Sequence, residues 1–169
     1  GVLGMSVAHM GLCIFVLGVT ITSAFSVESD MRMASGEKVE VAGYEFELLG
    51  LRNVQGPNYR ALEGQVEVRK DGEFVAVLRP QKRTYLVQQS PMTEAGIDSA
   101  LGRDLFVALG DPLGGGAWSV RLQYKPMIVF IWLGALVMAL GGMIAASDRR
   151  YRVNVVVRER RKARVEKPA

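Results

Sequence analysis

The sequence predicts a membrane α+β protein in which two transmembrane helices flank an all-β domain outside the membrane, a small barrel or sandwich. Three observations carry this. Residues 1–27 and 126–147 contain no Asp, Glu, Lys or Arg. The block between them alternates apolar and charged residues with a period of two. The residues after 147 are strongly basic, with 9 Lys and Arg against 3 acids, whereas residues 28–125 hold 12 against 14. The formal charge of +4 on 169 residues is therefore a segregated quantity, −2 in the middle and +6 in the tail.

Taken in order, residues 1–27 form the first span. Each uncharged stretch supplies the ~20 apolar residues that crossing a bilayer core demands. A secretory signal would carry a basic leader and a shorter apolar core, neither of which residues 1–27 show. Because the chain starts at Gly1 without Met, it reads as a piece of a longer protein. Gly4, Ala8 and Gly11 recur at spacings of four and three, a stripe that lets a second helix approach closely. In the second span, residues 126–147, Ala135, Ala139, Gly142 and Ala146 repeat that pattern, and Trp132 is placed as an interfacial anchor.

Residues 28–125 form the β domain. Lys38–Val41, Tyr44–Leu48 and Gln65–Arg69 alternate β-formers with charges, which fits half-buried strands and not helices. Asp71-Gly72 lies between Gln65–Arg69 and Phe74–Leu78. That dipeptide suits a type I′ hairpin, whose two central residues need positive φ. Further strands are expected at Tyr85–Gln88, Leu105–Leu109 and Trp118–Tyr124, with Gly110–Gly116 a flexible turn between the last two. The glycines there lack the strand-to-helix context of a phosphate cradle. A block of this size can bury a core of its own.

Residues 148–169 are the basic tail. Arg149, Arg150 and Arg152 follow the second span at once, where basic residues set orientation most strongly, so the C-terminus is expected in the cytoplasm and residues 28–125 in a bacterial periplasm or its equivalent. The basic excess is confined to this tail, with no aromatic residue after Tyr151. Membrane topology accounts for it, and nucleic-acid binding is not expected.

Few residues could carry chemistry. His9 is the one histidine of the chain and lies inside an apolar span, where an ionisable side chain is costly and marks a functional site by default. Four uses are open to its imidazole: haem iron, another metal, a proton relay, or a hydrogen bond to a neighbouring helix. At ~1.5 Å per residue it lies ~27 Å from the outer end of the span, in the cytoplasmic half. Cys13 follows four residues later on the same face, but two ligands do not complete a metal site, and a lone cysteine in an apolar helix reads as packing. The β block holds neither Cys nor His, which excludes disulfides, thiol chemistry and a hydrolase triad from it. Its alternating carboxylates read as a solvated sheet face. Pro80-Gln81-Lys82-Arg83 reads as a charged strand edge or turn, with docking of an acidic partner as the sharper alternative. Trp118 reads as a core or interface anchor. Five of the eight Met residues fall in the spans, and Met31, Met33 and Met92 make no copper-binding array. No complete active site is present.

Several strings together carry a resemblance. Gly4–Gly11, Arg79–Tyr85, Pro91–Asp98, Arg103–Leu105, Gly115–Arg121, Lys125-Pro126, Ile131–Gly134 and Ala146–Tyr151 resemble, in order and spacing, the C-terminal part of the CcmF cytochrome c-type biogenesis family, with the paralogous NrfE proteins also similar. The resemblance implies a multi-pass protein of the bacterial inner membrane and a component of a haem lyase, or holocytochrome c synthase, complex. It implies acceptance of haem from a haem chaperone and covalent attachment to apocytochrome c, together with other maturation subunits. It further implies that His9 is one axial ligand of a membrane-embedded haem b, its metal contact being through the haem iron. The opposite ligand and the segment that holds the incoming haem belong to regions outside this sequence. The competing expectation is a membrane-anchored periplasmic β domain that docks partners, with His9 only packing.

Overall fold

The computed structural model describes residues 2–87 and 89–147. The basic tail, and with it the expected cytoplasmic C-terminus, lies outside the described residues. The elements run α1 (Val2–Phe25), β1 (Val27–Ala34), β2 (Lys38–Val41), β3 (Tyr44–Gln55), β4 (Tyr59–Lys70), β5 (Glu73–Leu78), β6 (Gln81–Tyr85), β7 (Pro91–Glu94), β8 (Gly96–Ala100), β9 (Arg103–Gly114), β10 (Ala117–Pro126) and α2 (Ile128–Ser147). The described residues form two compact units: 2–20 with 129–147, and Ile21–Ile128.

The first unit is an antiparallel helix pair. Both helices are long and apolar enough to cross a membrane, and neither is broken along its length. Their seam is built of glycine. Gly4, Gly11 and Gly18 are the buried positions of α1, and Gly134 and Gly141 those of α2. A methyl group built on Gly11 would stand 2.5 Å from the Met138 backbone nitrogen, and one on Gly134 2.5 Å from that of Phe15. Spacing by seven keeps the contact on one stripe of each helix, and the missing side chains let the backbones touch. The expected stripe on α1 is thus right at Gly4, Ala8 and Gly11, the Ala8 backbone lying against Gly141, but it extends to Gly18. On α2 it is displaced by one residue, because among the described residues nothing lies within 4 Å of where a Gly142 Cβ would be, and Ala139 and Ala146 are exposed.

The second unit packs two antiparallel sheets face to face, one ordered β1-β10-β9-β8, the other β2-β3-β4-β6-β7 with β5 also on β4. Period-two alternation sends one face of each strand inward: Phe46 and Leu48 from β3, Val66 and Val68 from β4, Leu105, Val107 and Leu109 from β9, and Val120 and Leu122 from β10 are all fully buried. Asp71 and Gly72 have φ of 51° and 82°, the geometry expected of the β4–β5 hairpin. The β2–β3 turn uses Ala42 and Gly43 at 52° and 76°, a position where an alanine pays a steric penalty.

Several sequence expectations are corrected here. Of the strand expected at Tyr85–Gln88 only Tyr85 is one, as the last residue of β6; Leu86-Val87 form a turn, and Gln88 lies outside the described residues. Gly110–Gly116 is not a flexible turn: β9 runs through Gly114 with register shifts opposite Trp118, and only Gly115-Gly116 turn, both at positive φ. Pro80–Arg83 is neither edge nor turn, because Gln81–Arg83 lie in β6, between β4 and β7. One side of β4 pairs with β6 at Tyr59–Glu63 and with β5 at Val66–Lys70. Pro80 fills the join, its carbonyl accepting from Gly64 N at 2.8 Å. β8 passes close by at Gly96, where a Cβ would stand 2.7 Å from Arg79 N.

Candidate functional site

On α1 the seam glycines fix which way every other side chain points. At ~100° per residue His9 lies ~160° around the helix from Gly11 and ~140° from Gly4, so it occupies the face opposite α2, and it is exposed. Its Nδ1 lies 2.7 Å from the Met5 carbonyl oxygen one turn back. A carbonyl oxygen can only accept, so Nδ1 carries the proton and donates it. Nε2 is left with its lone pair free, the arrangement found in metal-ligating histidines whose other ring nitrogen is anchored to a backbone carbonyl. Cys13 shares the exposed face. Among the described residues no three His, Cys, Asp or Glu side chains come together in a way that could hold a metal ion. The donor set on this face is therefore one oriented imidazole and one thiol on an uncharged helix, too few for a multidentate ion site, while the imidazole by itself fits one axial position of a haem.

In the β unit the charged cluster of β6 splits between the two faces of its sheet. Gln81 and Arg83 face outward: Gln81 Nε2 donates to Glu63 Oε2 at 2.6 Å, and Arg83 pairs with Glu94 at 3.1 Å while stacking over Tyr59. Glu63, only 5% exposed, also receives Arg52 Nη2 at 2.6 Å and Nε at 2.8 Å. Burial alone would raise its pKa, but the bonds from Gln81 and Arg52 and the Arg52 charge outweigh burial and hold the carboxyl below its ordinary value. No sequence pattern marks Glu63 as buried, because its partners lie on β3 and β6 and meet only in the sheet. Lys82 faces inward and pairs with Asp111. It lines a cleft of about 470 Å³ between the sheets with Asn53, Arg60, Leu62, Thr84 and Trp118. Trp118 is half-buried against the core, as a packing residue should be. The cleft lining has two cations and, among the described residues, no carboxylate. Elsewhere Asp104 is buried, and its Oδ1 has no hydrogen-bond partner among the described residues.

Two helices long and apolar enough to cross a membrane, one at each end of a face-to-face β domain and the first carrying one oriented imidazole, define a β-sandwich protein with flanking apolar helices. Comparison with known proteins narrows the class. The sequence profile described as the CcmF C-terminal beta-sandwich matches residues 24–126, and the chain belongs to the CcmF family. It is 49% identical over 157 residues to the cytochrome c-type biogenesis protein CcmF of Pseudomonas aeruginosa, covering 93% of this chain and 24% of that protein. Identity to CcmF of Escherichia coli is 45% over 152 residues, covering 90% and 24%. To the NrfE protein of Haemophilus influenzae it is 34% over 147 residues, covering 87% and 23%. The chain thus spans about a quarter of the length of these relatives. A solved structure titled Cytochrome c Heme Lyase CcmF shares the fold with a TM-score of 0.69 at 21% identity, over 83% of this chain and 23% of that one.

Proposed function

We propose that this chain is the C-terminal part of an inner-membrane protein of cytochrome c maturation, and that His9 is an axial ligand of a haem b held in the membrane. The family and the names of its relatives support the process. The observation that supports the site is the His9 Nδ1 to Met5 O bond, which fixes the tautomer and leaves Nε2 available on the open face. A haem bound there would supply a one-electron iron couple. The chain's own part is to hold the imidazole in one tautomer at one height, to present an uncharged wall that keeps water from the porphyrin edge, and to leave room on the side away from α2. The remainder of the protein brings the second ligand, the incoming haem from a haem chaperone and the apocytochrome, with other maturation subunits as partners. In the full-length membrane protein His9→Ala should remove or shift the b-type bands of the reduced-minus-oxidised spectrum and depress holocytochrome yield. An unchanged spectrum with normal yield would reject the ligand assignment.

A second reading, in which the periplasmic sandwich docks partners, is favoured by the cleft between the sheets, with Arg60 on its wall and Lys82 there paired with Asp111. Deleting residues 30–123 while keeping both helices separates the two: retained haem with lost co-purification of partners assigns docking to the sandwich, and lost haem assigns it a part in the haem site.

A further inference from the structure

Tight turns favour Gly, Asn, Asp and Ser, yet the two-residue β8–β9 turn is Leu101-Gly102, with Leu101 72% exposed at its apex. The position of this turn is fixed by a hydrogen bond. Met127 N donates to the Gly102 carbonyl at 3.1 Å, and α2 begins at the next residue, Ile128. Met127 adopts a φ of 61° there, a left-handed conformation uncommon for a side-chain-bearing residue. The same strand end is tied again where Thr22 Oγ1, in the last turn of α1, donates to the Pro126 carbonyl at 2.6 Å. Phe25 is 66% exposed and Val27 41% exposed where α1 passes into β1. Lys125, one residue before Pro126, lies over the Phe106 ring at 5.2 Å. An exposed Leu on a sheet needs no explanation, but this one is bonded through its neighbour to the residue just before a helix long and apolar enough to span a membrane, and the ends of such spans lie where hydrocarbon gives way to headgroups.

We infer that the Leu101-Gly102 turn is a lipid contact: Leu101 enters the outer boundary of the bilayer that α2 crosses, with Phe25 at the same boundary and the Lys125 ammonium at the level of the lipid phosphates. Apolar and aromatic side chains paired with a nearby cation are the groups that partition into this layer. The inference rests on the reading of the two helices as membrane spans.

The test uses the full-length protein with its native cysteines, Cys13 among them, replaced by alanine. A single cysteine is introduced by Leu101→Cys, or by Leu113→Cys as a reference in an exposed position beside the β9–β10 turn. Each is labelled with an environment-sensitive fluorophore and reconstituted into phosphatidylethanolamine and phosphatidylglycerol vesicles containing a phospholipid with a nitroxide near its headgroup. The label at 101 should be quenched several-fold more by the lipid nitroxide than the label at 113, and less by aqueous iodide. Equal quenching at the two positions overturns the inference, and so does a label at 101 shielded from both quenchers, which would mean protein covers the turn. Flotation of the same samples keeps the two failures apart. Protein that does not float with the vesicles undoes the membrane reading, whereas floating protein with a water-exposed 101 undoes the lipid contact alone.

Discussion

Glu63 shows what a single charge does inside the sheet. Its carboxylate is buried with both oxygens engaged, by Arg52 and Gln81. Removing one partner of such a group is costly, since it strands the other in low dielectric. Because its pKa is depressed on folding, its contribution to stability is present above the ordinary value of 4.5 and is lost as pH falls through the lower folded value. Denaturant unfolding followed from neutral pH downward should therefore show stability falling below that ordinary value, with a shallower fall in Glu63→Gln. Identical pH slopes in the two proteins would refute this. His9 poses the opposite case. Its place was readable from sequence, as the one histidine in a span without Asp, Glu, Lys or Arg, but its tautomer was not, because that depends on the Met5 carbonyl one turn away.

At the scale of the elements, the helix seam makes a sharp comparison available. Gly11 has backbone within 2.5 Å of its missing Cβ, and Gly142 has nothing within 4 Å. Gly11→Ala should cost about 1–3 kcal/mol through overpacking, whereas Gly142→Ala should be neutral or slightly favourable in a helix. Thermal inactivation of the purified full-length protein would rank them, and equal effects would contradict the seam. Sequence periodicity could not choose the face on α2, because Gly134, Ala135, Ala139, Gly141, Gly142 and Ala146 offer two overlapping small-residue stripes. Only the partner helix selects between them. Strands were legible, whatever their length, where Lys38–Val41, Tyr44–Leu48 and Gln65–Arg69 alternate, and the β4–β5 turn where Asp-Gly demands positive φ. The short strands β7 and β8 carried too few alternations to register, and the Ala42 turn broke the composition rule for its type. The Pro80 join hid that β5 and β6 share one neighbour.

For the whole molecule, the sandwich has a closed apolar core drawn from both sheets, and the unit that holds it runs from Ile21 to Ile128. Residues 26–127 expressed alone should give a soluble β domain with a single cooperative urea transition. A broad, probe-dependent transition would show that the core depends on the helices. Phe46→Ala, at a fully buried position, should lower that domain's stability by about 3–5 kcal/mol. One topological feature reaches further. The first and last strands, β1 and β10, are neighbours in register, with Val27 opposite Tyr124, so the chain leaves the sandwich about 5 Å from where it entered. Such a domain is a cassette: it could be excised, or exchanged for a homologue's, by bridging Ser26 to Met127 with a few flexible residues, leaving the order of the helices along the chain untouched.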